Sequence, residues 1–159
     1  MYKSEKCYLL YPRLGVFRQQ QIYCNTCIEV FGTYHSNMIE IIDLAYLRVG
    51  AVDLDEAALF ATESIGLQEV RREDNRVYVR GDERDHDICY VSGGVEEHVV
   101  GFEVSDQNEL ELGYKNLKDA GISVDWGTDP ELQDRRVVNF FKFCDPTGNK
   151  FEVVIRPQK

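Results

Sequence analysis

The same order of strand and helix patterns occurs twice in this chain, and this repeat constrains its fold more than any other feature. In the first copy, a β-branched and aliphatic run precedes a helical segment, and three more strand-like runs follow. The segments are "IIDLAYLRVGAV", "EAALFATESI", "LQEVRRE", "RVYVR" and "DICYV". The second copy repeats this order. Its segments are "HVVGFEV", "NELELGYKNLKDA", "ISVDW", "VVNFFKFC" and "KFEVVI".

Both helical segments have matching start and stop signals. Aspartate or serine oxygens can cap the two helix starts, and a glycine follows each last periodic residue. The start signals are Asp53 and Asp55 in the first copy and Ser105 or Asp106 in the second, and the stop signals are Gly66 and Gly121. One small sheet with one helix cannot cover both of its faces, whereas two such units can share a core. We therefore predict an α+β fold of two βαβββ modules, at about residues 41–92 and 97–156.

Length and charge limit the classes of protein that this chain can belong to. Its 159 residues suffice for one domain with a proper core. A formal net charge of −10 argues against nucleic acid or an anionic membrane as partner, because both would repel it. No apolar run approaches the roughly 20 residues of a membrane helix. Five cysteines, an odd number, do not suit a disulfide framework, so we expect a reducing cytoplasm.

The first quarter of the chain differs from the rest. Residues 1–37 have neither a clean helical period nor a clean two-residue period, and they lack the apolar core of a secretory signal. The segment that starts at Met38, "MIEIIDLAYL", reads like the natural start of a domain. We therefore expect residues 1–37 to be an N-terminal extension, disordered or arising from a start-site error, and residues 38–159 to be the domain.

Several stretches together resemble one known family. These stretches are "YLRVGAVDLDEA", "RVYVRGDERDHDICYV", "HVVGFEVSD" and "RRVVNFFKFCDPTGN". With the doubled module, they resemble the vicinal oxygen chelate superfamily, which includes glyoxalase I, bleomycin-resistance proteins and type I extradiol dioxygenases. The resemblance covers about residues 39–156 and is closest to the N-terminal domain of catechol and dihydroxybiphenyl ring-cleaving enzymes. It implies that the two modules form a curved mixed sheet around a cavity.

The resemblance also implies a set of site residues. Active members hold Fe(II) with two histidines and one glutamate, which leaves open positions for a catechol and O₂. Glu152 stands at the place of the metal-binding glutamate, and His98 at or within one residue of the second histidine. His86 matches the histidine that active dioxygenases use as an acid–base group beside the substrate. Tyr46 stands where the first histidine is missing, and a neutral phenol is a poor ligand for Fe(II).

These site residues also have simpler interpretations. Glu152 can be a solvated or structural acid on a strand, His98 a hydrogen-bonded histidine at a strand end, and His86 a surface histidine in a charged turn. If the resemblance extends to the site, Tyr46, His98 and Glu152 should converge inside the cavity.

Two functions follow as hypotheses. The first is an extradiol-dioxygenase-like protein. It is either a ring-cleaving enzyme for catechol-type substrates or the non-catalytic N-terminal-type domain of one, with Fe(II) in a complete site and no metal in a degenerate one. Its partners would be an aromatic, catechol-like molecule and a catalytic domain or a second copy of the chain. The alternative is a metal-free binding protein of the bleomycin-resistance type, for which an acidic chain suits a cationic ligand.

Overall fold

Two copies of one supersecondary unit lie side by side in a single sheet. The computed structural model of the chain describes residues 39–155, so the expectation for residues 1–37 lies outside the described residues. The first module contains β1 (Ile41–Ala51), a helix α1 that begins as α-helix (Leu54–Leu59) and continues as π-helix (Phe60–Ile65), β2 (Gln68–Glu73), β3 (Arg76–Arg80) and β4 (Ile88–Ser92). A 3₁₀ turn (Val95–Glu97) leads to the second module, which contains β5 (Val99–Val104), α2 (Gln107–Asp119), β6 (Val124–Trp126), α3 (Asp129–Arg135), β7 (Asn139–Cys144) and β8 (Lys150–Ile155).

The sheet has the order β2-β3-β4-β1-β5-β8-β7-β6. Strands β1 and β5 pair antiparallel at its centre. Strand β1 also pairs parallel with β4, as β5 does with β8, so each module repeats the same arrangement from the centre outward. This curved, open, mixed sheet confirms the predicted α+β fold of two βαβββ modules.

Helices α1 and α2 cover one face of the sheet, and each builds its own part of the core. Ala58 and Ala61 of α1 pack on strands β3 and β4, while Leu110 of α2 packs on β7 and β8. The predicted helix caps at Asp53 and Asp106 are confirmed. A side-chain oxygen of Asp53 accepts hydrogen bonds from two backbone N–H groups at the start of α1, and Asp106 does the same for α2. None of the helices in residues 39–155 is long and apolar enough to cross a membrane.

The opposite, concave face is partly covered by α3, a helix that the sequence analysis did not predict. Glu131 accepts hydrogen bonds from both the backbone N–H and the hydroxyl of Thr128, each at 2.9 Å, and Pro130 lies in the first turn. Leu132 of α3 packs on a cluster of buried side chains from the sheet. Helix α3 therefore fills part of the concavity that the resemblance left open for a ligand.

Backbone register brings three residues of the central strands into one row on the concave face. Tyr46 on β1 pairs with Gly101 on β5, and Gly101 pairs with Glu152 on β8. A Cβ atom at Gly101 would lie 2.7 Å from a ring carbon of Tyr46, so the missing side chain leaves the space that the phenol ring occupies. The register thus points the Tyr46 ring across β5 toward Glu152.

Candidate functional site

Glu152 is a buried acid on an interior strand, because β8 lies between β5 and β7. The residue is only 2% exposed. Its Oε2 accepts a hydrogen bond from the Tyr46 hydroxyl at 2.5 Å and one from Arg135 Nε at 2.8 Å, while its Oε1 accepts from Arg135 Nη2 at 2.6 Å. Three donors therefore satisfy this carboxylate inside the protein, and the interpretation of Glu152 as a solvated acid is wrong.

Tyr46 is a neutral hydrogen-bond donor in this arrangement. It is 1% exposed, and burial raises the pKa of its hydroxyl well above the ordinary value, with the negative charge of Glu152 raising it further. Deprotonation would place a phenolate beside a carboxylate in a medium of low polarity, which both effects oppose. Tyr46 consequently keeps its proton and donates a hydrogen bond to Glu152.

Arg135, the last residue of α3, supplies the positive charge that Glu152 requires. Burial works against its charge, but the hydrogen bonds and the charge of Glu152 outweigh that effect and raise the pKa of the guanidinium. The two parallel N–H···O contacts have the bidentate geometry in which arginine binds carboxylates most strongly. The guanidinium also lies over the ring of Phe140, 4.8 Å from its centroid. Helix α3 therefore positions Arg135 as a fixed counter-ion of Glu152.

A second buried acid, Asp134, extends this cluster toward the first module. Its Oδ2 lies 2.9 Å from Arg48 Nη1 and 3.2 Å from Arg135 Nη1, and its Oδ1 lies 3.0 Å from Arg76 Nη1 and accepts the Tyr78 hydroxyl. Burial raises the pKa of Asp134, but Arg48, the Tyr78 hydrogen bond and the other arginines together lower it below its usual range. We refer to these side chains as the buried ion-pair network. Its members are Tyr46, Arg48, Arg76, Tyr78, Asp134, Arg135 and Glu152.

His98 lies apart from this network. It directly precedes β5, at the end of the 3₁₀ turn, and its side chain is exposed. Val99 and Gly101 share the concave face with Glu152, and strand alternation directs the residue before Val99 the other way. The structure thus brings Tyr46 and Glu152 together and leaves His98 outside.

His86 is buried, contrary to the surface interpretation. It is 4% exposed, its ring stacks on Tyr46 at 5.6 Å between centroids, and it meets the edge of Tyr78 at 5.1 Å. Nδ1 lies 3.0 Å from Asp85 Oδ2, whereas the buried Nε2 has no hydrogen-bond partner among residues 39–155. Burial lowers the pKa of His86, although Asp85 opposes the shift. The neutral imidazole therefore packs between two tyrosines, beside the network.

The residues of this site do not fit a ferrous ion. Non-haem iron sites need two histidines and a carboxylate with free lone pairs. Here the two oxygens of Glu152 accept three hydrogen bonds, a guanidinium occupies the adjacent space, and His98 is outside. Within residues 39–155, no group of three or more His, Cys, Asp or Glu side chains is arranged to hold a metal. What the arrangement can do is stabilise a buried carboxylate without a metal.

The fold and the site place the chain in a class of proteins that have paired βαβββ modules and an acid on the last strand. The chain belongs to the Glyoxalase/Bleomycin resistance protein/Dioxygenase superfamily, whose family model matches residues 43–153.

Relatives within this family are extradiol-type dioxygenases. The chain is 33% identical over 123 residues to a 1,2-dihydroxynaphthalene dioxygenase of Sphingobium xenophagum, which covers 76% of this chain and 41% of the relative. It is also 33% identical over 119 residues to an iron-dependent extradiol dioxygenase of Rhodococcus jostii (strain RHA1), covering 72% of this chain and 39% of that one. A crystal structure of a catechol 2,3-dioxygenase matches with a TM-score of 0.70 at 32% identity, over 75% of this chain and 41% of that chain. The chain thus spans about two fifths of the length of these relatives.

Sequence reasoning missed the two arginines and the aspartate that occupy the centre of the concave face. Arg48 lies within a run interpreted only as a strand, and Asp134 and Arg135 lie in a segment to which no element was assigned. One signal was available: Thr128 and Glu131 have the spacing of a capping box, with Pro130 between them. That pattern indicates a helix start, although it does not indicate that the helix end is buried.

Substituting Arg135 tests whether the network depends on this counter-ion. In Arg135→Met, Glu152 loses its cation while remaining buried, so the free energy of unfolding should fall by about 3–5 kcal/mol in urea titrations. Adding Glu152→Gln should recover part of this loss, because the buried charge is then removed as well. Lys142→Met is the matched control. Lys142 contacts Glu131 at 2.6 Å, but the Lys142 side chain is 38% exposed, so its loss should cost about 0–1 kcal/mol. Equal losses in the two single variants would contradict the assigned role of Arg135.

His86 should make stability dependent on pH below neutrality. Because the folded state lowers its pKa, the unfolded chain takes up the proton first as the pH falls. The stability that His86 contributes is complete above the unfolded pKa of about 6.5 and is lost progressively below it. Urea unfolding between pH 7.5 and 5 should show this slope, and His86→Phe should flatten it. His98→Gln, which removes an exposed histidine, is the control. A slope that persists in His86→Phe would assign it to other groups.

Proposed function

We propose that this chain is the non-catalytic half of an extradiol-type ring-cleaving dioxygenase, and that it supports a catalytic domain of the same family. That catalytic domain would bind Fe(II) and a catechol-type aromatic diol. The observation that carries the proposal is the Arg135 guanidinium, which pairs with both oxygens of Glu152 at the position where the family's active members use the acid as a metal ligand. The coverage of the relatives supports it, since about three fifths of their length has no counterpart in this chain.

The residues of the chain have defined roles under this proposal. Arg135 neutralises Glu152 and Tyr46 donates a hydrogen bond to it. Arg48, Arg76 and Tyr78 hold Asp134, so these buried acids are compensated without a metal ion. His86 contributes packing between the tyrosines. A folded, metal-independent module of this kind is suited to support a neighbouring domain, because its core does not depend on the cofactor supply. A second copy of this chain is the other partner that the proposal allows.

The first prediction from this proposal concerns the metal and turnover of the isolated chain. Anaerobic titration with Fe(II) should give no stoichiometric binding, because Arg135 repels a cation and engages Glu152. The loaded chain, given oxygen and a panel of catechols, should form no yellow ring-opened product. Tyr46→His should not change this by itself, whereas Tyr46→His with Arg135→Met frees a histidine–carboxylate pair and should gain weak metal affinity. Stoichiometric iron in the wild type that Glu152→Gln abolishes would overturn the proposal.

The supporting role is tested with a chimaera. Residues 39–155 replace the matching segment of the Sphingobium xenophagum relative, whose remaining part is left intact. If this chain can act as the supporting half, the chimaera should bind iron at the parent's stoichiometry and retain ring cleavage of 1,2-dihydroxynaphthalene. The same chimaera with Arg135→Met should lose thermal stability and turnover together. A chimaera that is folded by circular dichroism and loaded with iron, but inactive, would argue against the supporting role.

A second candidate function, a metal-free binding module of the bleomycin-resistance type, is favoured by one observation. A cavity of about 470 Å³ remains open on the concave face beside α3. Its cationic lining is as large as its acidic lining. The cations are Arg48, Arg135, Lys142 and Lys150, and the acids are Glu97, Asp125, Glu131 and Glu152. The acidity of the whole chain is therefore no guide to the charge of a ligand in this cavity, and a cationic ligand is not favoured.

A further inference from the structure

Three phenylalanines form an apolar surface on the helix-covered face of the sheet, opposite Glu152. The Phe151 ring stacks on Phe102 at 5.9 Å and on Phe143 at 5.7 Å between ring centroids. Strand alternation places Phe151 on the side of β8 that faces away from Glu152. All three phenylalanines are partly exposed, although α2 packs on this face of the sheet. Helix α2 therefore covers the aromatic surface only in part.

A cavity of about 670 Å³ opens over this surface, between the start of β1 and the end of α2. On the sheet side it is lined by Phe102, Val153 and Phe143, which lie on the neighbouring strands β5, β8 and β7. Ile39 and Ile41 line it at the start of β1, and residues 116–120 line it at the end of α2. Small-molecule sites in proteins have volumes of roughly 300–1,000 Å³ and mostly apolar walls. The cavity has both properties.

The charges around this cavity favour a neutral ligand. Among residues 39–155, no lysine, arginine or histidine lines it. Its one charged lining residue is Asp119, which is exposed at the end of α2, where the carbonyl groups of the last turn also carry partial negative charge. Both features oppose an anion. A cation would gain little from Asp119, because exposed ion pairs contribute little and an ammonium group would lose its hydration against the apolar walls.

One polar group of the cavity lining lacks a partner. Asn116 of α2 lines the cavity, and its Nδ2 is buried without a hydrogen-bond partner among residues 39–155. A buried N–H donor without an acceptor is costly. The last torsion of an asparagine side chain is broad, so this amide can turn its N–H groups toward a ligand in the cavity. Asn116 thus has a donor for one acceptor atom of a ligand.

We propose that this cavity binds a neutral aromatic molecule with one hydrogen-bond acceptor, such as an aryl ketone. Phe102 and Phe143 can pack on a planar ring in edge-to-face or offset geometry, and Asn116 donates a hydrogen bond to the carbonyl oxygen. The site lies on the face of the sheet opposite Glu152 and needs neither a metal nor a catalytic domain. It therefore stands independently of the supporting role proposed above.

Titration of the full chain with 2-acetylnaphthalene, a neutral aryl ketone, tests this inference. Calorimetry should show one saturable site per chain. The anion 2-naphthoate, in which a carboxylate replaces the acetyl group, should bind at least about tenfold more weakly, because its charge loses hydration and meets no cation. In spectra of the wild type with the ketone, intermolecular nuclear Overhauser effects should connect the ligand protons with the rings of Phe102 and Phe143.

The role of Asn116 is tested with a ligand pair. The hydrocarbon 2-ethylnaphthalene has a similar shape to the ketone but no acceptor, so it reports the apolar contribution alone. Asn116→Leu should lower the ratio of ketone affinity to hydrocarbon affinity by at least about threefold, because it removes the donor and keeps an apolar side chain. The variant should fold at least as stably as the wild type, since the unpaired donor is lost. Asn108→Leu is the matched control: Asn108 is exposed on the same helix and outside the cavity, and the ratio should stay unchanged.

Several results would overturn the proposal. They are the absence of saturable ketone binding, 2-naphthoate binding as tightly as the ketone, an unchanged affinity ratio in Asn116→Leu, and Overhauser effects that do not involve Phe102 or Phe143. If copies of this chain instead associate through this face, ketone affinity should fall as the protein concentration rises, and that result would also count against a small-molecule site. None of these outcomes bears on iron binding or on the chimaera, so the two proposals fail separately.

Discussion

The pairing of Arg135 with Glu152 is the interaction on which the concave face of this protein depends. A carboxylate that is 2% exposed carries a large desolvation penalty, and it persists there only when its charge and its lone pairs are both compensated. Arg135 supplies the charge and two hydrogen bonds, and Tyr46 supplies a third. Since these partners come from α3 and β1, the single carboxylate on β8 ties three parts of the domain together.

The two modules have diverged at equivalent positions of their shared plan. Arg48 pairs with Cys89 across β1 and β4, and Gly101 pairs with Glu152 across β5 and β8 in the same parallel arrangement. Burial raises the pKa of Cys89 to about 11, so this thiol is neutral beside the Arg48 strand position. One module therefore contributes a cation facing a neutral thiol, and the other contributes an acid facing a glycine. The buried charges at the centre of the sheet compensate one another only when both modules are counted. Asp134 of α3 is the anion that connects the two modules.

The sequence was sufficient to predict the repeat, because the repeat is recorded in local signals: strand runs, the caps at Asp53 and Asp106, and the glycines that end the helices. It was not sufficient to predict the site. Helix α3 has one leucine in seven residues, so it shows no apolar period, and its charges look solvated. Whether a charged side chain is buried depends on distant partners: Tyr46 and Glu152 are 106 residues apart, and Arg135 meets Glu152 from 17 residues away. Such pairings are decided by sheet register and helix placement, not by neighbouring residues.

Within one fold, the carboxylate on the last strand can be neutralised either by a divalent metal ion or by a guanidinium. In this chain the guanidinium of Arg135 does so. A divalent ion demands several ligands with open coordination positions, and it makes the core dependent on metal supply. A guanidinium is permanently charged, has a fixed hydrogen-bond geometry and is part of the polypeptide itself. Under the proposed function, the guanidinium preserves the electrostatic centre of the module without the metal.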